Sequence, residues 1–257
     1  MHKALILGLL VALFPDVTAI HAQPTTVVVR AKAKDAKFIA SSVGGAMVTI
    51  RTADSGTLLA RGITHGSTGN THLIMRTPHT RGMQLSDEAT GKFEASIDLD
   101  QPTLVTIEVR APYTKRQATV AASTQVWLIP GKHITGDGIV VEIPGFIVDI
   151  LTPRTHQFIP LADIAQGRLP VEANVVMMCG CTISDGGLWD GSRIEVRGIL
   201  QRDGTSLGEV PLTITTTDNL FAGALPVNAP GNYHLTIYAY DPATGNTGVD
   251  QVNYIVE

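Results

Sequence analysis

The chain has 257 residues, with 19 Lys and Arg against 23 Asp and Glu, for a net charge of −4 at neutral pH. That balance supplies no basic footprint for nucleic acid and no polybasic patch for an anionic membrane. Its length suits one large β domain or two of ordinary size.

Residues 1–22 read as a secretory signal peptide. Lys3 forms the charged start, Ala4 to Phe14 an apolar run, and Ala22 the small residue before the expected cleavage. The apolar run is eleven residues long, whereas a membrane-spanning helix needs about 20. No later segment is apolar enough to cross a bilayer. The mature chain is therefore expected to be soluble, periplasmic or secreted, and not inserted in a membrane.

Strand signals follow. "AMVTIRTADSGTLLARGIT" alternates around Val48 and Ile50, breaks at Asp54-Ser55-Gly56 and resumes at Leu58, as a hairpin does. "KFEASIDLD" sends Phe93, Ala95, Ile97 and Leu99 to one side, and "TLVTIEVRAP" does the same with Val105, Ile107 and Val109. "ATVAASTQVWLIP" and "GIVVEIPGFIVDIL" are rich in β-branched residues, and Pro144 makes the latter an edge strand, a bulge or two short strands. No helix of ordinary length is expected in this half; one helical turn is expected at residues 160–167. With Pro153, Pro160 and Pro170, that region also reads as a linker, residues 153–170. Strand rhythm then restarts and continues to Glu257, with turns at Asp203-Gly204, Asp218-Asn219, Pro230-Gly231-Asn232 and Gly245-Asn246. The expected fold is all-β: an antiparallel β-sandwich over residues 24–152 and a second over residues 171–257.

"GAMVTIRTADSGTLLARGIT" followed by "GKFEASIDLDQPTLVTIEVRAP" resembles the transthyretin-like, carboxypeptidase-regulatory-type sandwich. "MRTPHTRGMQLSDEATGKFEASIDL" is similar to the YtkA-like periplasmic modules associated with copper handling. "APGNYHLTIYAYDPATGNTGVDQVNYIV" resembles the last strands of bacterial immunoglobulin-like modules. These resemblances imply sandwich folds, and a function carried across them is analogy.

Both cysteines lie in Met177-Met178-Cys179-Gly180-Cys181. In an exported protein such a pair forms a disulfide, but the enclosed loop is so short that the bridge contributes little stability. Two readings give the sulfur chemistry a purpose: a reducible exchange element, or a soft-metal site for Cu(I) built from thiolates and thioethers. In an extended strand Met177, Cys179 and Cys181 share a face and Met178 takes the other; the turn-rich sequence that follows places the pair near solvent. In the plain alternative, the methionines are core and edge residues and the cysteines close a minor loop disulfide. A second cluster, His65, His72, Met75, His79 and Met83, combines imidazole with thioether, a pairing suited to copper. Its plain reading is a solvated loop with Met75 in the core.

Weaker candidates are Asp241, Asn246 and Asp250, which read as hairpin chemistry rather than a Ca²⁺ loop, and His133 with Asp137, which lack a nucleophile elbow. Trp127 and Trp189 suggest sugar stacking; Trp127 is expected in the core and Trp189 at the surface.

The leading expectation is an exported, non-enzymatic metal-binding protein. Copper is its ion, held by Cys179 and Cys181 with Met177 or Met178, and separately by His72, Met75, His79 and Met83; a metal-delivery or envelope protein is its partner. The rival is a structural or adhesive module of the cell envelope without a metal site. Thiol–disulfide exchange would call for a Cys-x-x-Cys motif in a βαβ setting, and the sequence has neither.

Overall fold

Alternation of apolar and polar residues builds the first half strand by strand in the computed structural model, which describes residues 21–257. The expected leader thus lies almost wholly outside the described residues. The strands are β1 (Gln23–Ala33), β2 (Met47–Thr52), β3 (Leu58–Ile63), β4 (Phe93–Leu99), β5 (Thr103–Ala111), β6 (Val120–Leu128) and β7 (Ile134–Ile143), with one short helix, α1 (Thr71–Met75). They form a three-stranded sheet, β4-β1-β7, facing a four-stranded sheet, β3-β2-β5-β6. The expected hairpin is β2–β3, pairing Val48 with Gly62 and Thr49 with Arg61. Val48, Ile50, Val105, Ile107 and Val109 meet Val27, Val29 and Ala31 in the core, all fully buried. Among these seven strands pairing is antiparallel except between β1 and β7, which run parallel.

β1 is buried on both faces, and this explains the loop above it. Val27, Val29 and Ala31 point into the sandwich, while Val28 and Arg30 point outward and are still only 2% exposed. Part of the segment between β3 and β4 closes over them: His65 bridges to Lys92, Ser67 to Thr90, and Ile74 of α1 is buried. The Asn70 side chain accepts from Leu73 N at 3.1 Å and starts this helix. The sequence signal for a five-residue helix in a Gly/Thr-rich stretch was too short to stand out.

The second half contains β8 (Phe146–Thr152), β9 (Gln157–Ile159), β10 (Arg168–Met177), β11 (Ile183–Ser184), β12 (Trp189–Asp190), β13 (Glu195–Arg202), β14 (Thr205–Ile214), β15 (Leu220–Pro226), β16 (Gly231–Tyr240) and β17 (Thr247–Val256). Eight of them form one hydrogen-bonded series, β8-β10-β15-β14-β13-β16-β17-β9. The series folds over at β14, which pairs with β13 along most of its length and with β15 only at Thr213 and Ile214. Its first strand returns to β17, since Ile150 N of β8 donates to the Asp250 carboxylate at 2.8 Å. Tyr233 and Tyr254 stack in the core with centroids 5.2 Å apart. The Tyr233 hydroxyl donates to Ala229 O at 2.8 Å, the corner contact typical of immunoglobulin-like sandwiches.

The strand pairing divides the chain differently from the proline pattern. β8, expected to end the first sandwich, pairs with β10. The expected linker is woven into the second half: β9 pairs with β17, β10 starts at Arg168, and two 3-10 turns occupy Leu161–Asp163 and Ala165–Gly167. The connection between halves is Pro144-Gly145. Proline there ends ladder pairing, and Gly145 adopts φ 120° with its bare face against Thr247 O and Met178.

Candidate functional site

The sulfur-rich segment is a turn at the end of β10 rather than a continued strand. Gly180 N donates to Met177 O at 2.7 Å and Met177 N to Cys181 O at 3.2 Å. Gly180 takes φ 73°, a left-handed conformation that glycine adopts without penalty. Cys179 and Cys181 form a disulfide. The expectation of a solvent-facing pair does not hold: Cys179 is 0% and Cys181 7% exposed, with Met177 and Met178 equally buried. The cover comes from the other half of the chain. Ser42 Oγ donates to Cys179 O at 3.3 Å, and a Cβ at Gly180 would lie 2.6 Å from Val43.

The His/Met segment lies in the cover above β1, whose buried anchor is Ile74. His72 is exposed on α1, its Nδ1 3.3 Å from the Thr77 hydroxyl. His79 Nε2 donates to Ile74 O at 3.1 Å. Met75 and Met83 are half-buried, and His65 is exposed beside Lys92. Among the described residues no three His, Cys, Asp or Glu side chains gather as a metal site. The weaker candidates have separate work. His133 Nδ1 accepts from Thr26 N, and Asp137 accepts from Leu85 N and Ser86 N. Asp241 accepts from Ala243 N and Thr244 Oγ1 within its turn, while Asp250 holds β8.

The two tryptophans exchange their expected places. Trp189 is half-buried and its Nε1 donates to Asp35 O at 2.9 Å, across the two halves. Trp127 is 58% exposed, more than any other large apolar residue among those described. Period-2 geometry explains it. On β6, an edge strand, Leu128 points into the core and Ser123, Gln125 and Trp127 point out.

That outward face is a flat platform. Trp127 pairs across with Leu104, Gln125 with Thr106, and Ser123 with Glu108. Glu108 in turn faces Thr49, which faces Arg61. Gln125 Nε2 donates to Thr106 Oγ1 at 3.0 Å, tying β5 to β6. Two depressions lie on it. One, about 570 Å³, is bounded by Trp127, Gln125, Leu104, Gln101 and Asp54. The other, about 380 Å³, is bounded by Arg51, Arg61, Arg110, Glu108 and Met47. Arg110 is paired with Glu108 at 2.7 Å. Arg51 donates to Gly56 O and Arg61 to Met47 Sδ, and neither has a carboxylate partner among the described residues.

A cleft of about 350 Å³ lies where the halves meet, lined by Asp35, Phe146, Trp189, Asp190, Arg193 and Asp241. Partial desolvation and then Asp241 push the Asp35 carboxyl above its ordinary range.

No family model matches the chain, and no curated protein matches it. Solved structures share its general build. An engineered protein aligns over 51% of this chain and only 24% of its own length, with 16% identity and a TM-score of 0.32. Fibronectin(III)-like modules of Clostridium thermocellum CbhA align over 91% of this chain and 94% of theirs, with 12% identity and a TM-score of 0.29. A chimeric titin Z1Z2 aligns over 93% and 99%, with 10% identity and a TM-score of 0.23. The fold is an all-β sandwich architecture. The strand pairing shows it, and likenesses this distant establish neither a transthyretin-like nor a YtkA-like membership.

Proposed function

We propose that the chain is an exported, non-catalytic binding module of the cell envelope, and that the outer face of β3-β2-β5-β6 is its contact surface. The observation that carries this reading is Trp127. An exposed indole set among aligned polar side chains on a rigid sheet offers a large contact area at little entropic cost. Co-sedimentation of residues 23–257 with insoluble envelope and exopolysaccharide material tests it. Trp127→Ala should remain folded and lose most of the retention; retention equal to that of the parent protein would rule the face out.

A second reading keeps copper, because four sulfur-bearing residues occupy five consecutive positions, 177–181. As a disulfide the cysteines supply no thiolate, so Cu(I) would bind after reduction, with Met177 or Met178 as thioether ligand. His72, Met75, His79 and Met83 form its separate second site, and a metal-delivery protein its partner. Reduced protein titrated with Cu(I) against a competing chelator should bind more tightly than the double variant Cys179→Ser, Cys181→Ser. Affinity should weaken as pH falls, since protons compete for the ligand sulfurs. Equal affinity in the two proteins would remove this reading.

A further inference from the structure

The platform carries more than an exposed indole. Arg51 and Arg61 sit on neighbouring strands, β2 and β3, on the same outward face as Trp127 on β6. Arg61 on β3 and Trp127 on β6 mark the two edges of one surface four strands wide, a width of about 14 Å at the usual strand spacing, and Arg51 on β2 lines the same depression as Arg61. Between those edges lie the hydroxyl and amide groups of Thr49, Thr106, Ser123 and Gln125 together with the Glu108–Arg110 ion pair, and Leu104 stands beside Trp127. We propose that this face binds an acidic polysaccharide bearing uronate carboxylates; this rests on the proposed function of the same face.

Each part of the surface matches a part of that ligand. The apolar face of a pyranose ring covers the Trp127 indole, leaving ring hydroxyls at the rim to meet Gln125, Gln101 and Asp54. At the other end a carboxylate meets the guanidinium groups of Arg51 and Arg61, which form planar, two-toothed contacts with carboxylates. Neither arginine is neutralised by a carboxylate within the described residues, so the ligand's charge does not have to displace an internal partner. Arg110 is different: Glu108 already engages it. The distribution also selects among polyanions. Two available guanidinium groups at one end of a platform, on a chain of net charge −4, suit sparse carboxylates spaced along a chain of uncharged hydroxyls. A nucleic acid carries a phosphate at every unit and calls for a continuous basic track. A neutral glycan would use the indole and leave the arginines without a role.

Affinity electrophoresis of residues 23–257 through gels containing polygalacturonate, dextran or a single-stranded oligonucleotide separates these cases. Retardation is expected in polygalacturonate and not in dextran, and it should weaken as salt is raised. Trp127→Ala should reduce the apparent affinity roughly tenfold, and the double variant Arg51→Gln, Arg61→Gln by a similar factor, each tenfold corresponding to 1.4 kcal/mol. Circular dichroism of each variant confirms that the sandwich is intact, which these exposed positions should allow. Equal retardation by dextran, or an undiminished response in the double arginine variant, would overturn the uronate assignment while leaving the platform as a binding face. Stronger retardation by the oligonucleotide would overturn it in favour of a different polyanion. No response of Trp127→Ala to any of the three would remove the proposed function along with it.

Discussion

Replacing Arg30 with Met is expected to lower stability by about 3 kcal/mol or more, an effect larger than that of any surface change in this protein. Arg30 is a charged residue only 2% exposed, and among the described residues it forms no ion pair. Its guanidinium instead donates to backbone carbonyls: Nη1 to Thr90 O and to Gly91 O, Nη2 to Gly136 O at 3.1 Å and, at longer range, to Asp87 O. The Phe38 ring packs against it, 5.9 Å from the guanidinium carbon. Burial draws its pKa down, and the field of Asp137 opposes that shift. Methionine fills similar space but leaves the Thr90 and Gly91 carbonyls without a donor, each at a cost of about 1–3 kcal/mol. For a chain of this size, each kcal/mol shifts the midpoint by about 2–4 °C, so thermal denaturation followed by circular dichroism should show a fall of about 6–12 °C. Arg30→Lys should recover only part of it, because an ammonium cannot span carbonyls on two separate loops. A midpoint within 2 °C of the parent, roughly the shift of 1 kcal/mol or less, would show that water takes over the guanidinium's role.

The same residue shows what a single sequence does and does not disclose. Period-2 alternation was legible wherever a strand has one wet face: the inward sets Val48/Ile50 and Val105/Ile107/Val109 are buried as the pattern requires. β1 has no wet face, and "VVVRAKA" does not say that a distant loop will supply carbonyls to Arg30. The cap over β1 is also why the His/Met cluster looked chemical. Several of those side chains belong to a cover whose apolar anchor is Ile74, with His72 bonded to Thr77 and His79 to Ile74 O within it. Trp127 fails for a different reason. Alternation identifies two faces of a strand but not which one is inside, and a bulky aromatic on either face fits the pattern equally well. Strand pairing, not proline content, decides the division of the chain, and the partner of β8 is β10, which lies beyond the prolines that mark the expected boundary. The disulfide is one of the alternatives that the Cys-Gly-Cys spacing leaves open, whereas nothing in the sequence points to the lid of Ser42 and Val43 over it.

Asn246 should have the second-largest effect, and its variants separate packing from hydrogen bonding. The side chain is fully buried. Its Oδ1 accepts from Gly145 N at 2.8 Å and its Nδ2 donates to Lys34 O at 3.1 Å. One amide therefore ties the turn before β17 to the connection between halves and to the end of β1. Asn246→Ala leaves both backbone groups unpaired, an expected loss of about 2–4 kcal/mol at the usual cost per buried group. Because the sheets of the two halves share no strand, calorimetry of this variant should resolve two transitions where the parent shows one. Asn246→Asp is the sharper test. A carboxylate still accepts from Gly145 N, but it faces Lys34 O with no proton to donate, and it is charged in a buried site. Its folded-state pKa is thus raised above the unfolded value of about 3.9. For an acid shifted in this direction, the stability of the protonated form is fully present below the unfolded pKa and is lost as pH rises through the folded one. Near neutrality the Asp variant should consequently be the less stable of the two. Below about pH 4 its protonated carboxyl can donate to Lys34 O, and it should overtake Asn246→Ala. An order of stability that does not change between neutral and acidic pH would show that the amide is held by packing alone and that the two halves are coupled elsewhere, through Trp189 and Asp35 or Lys115 and Asp149.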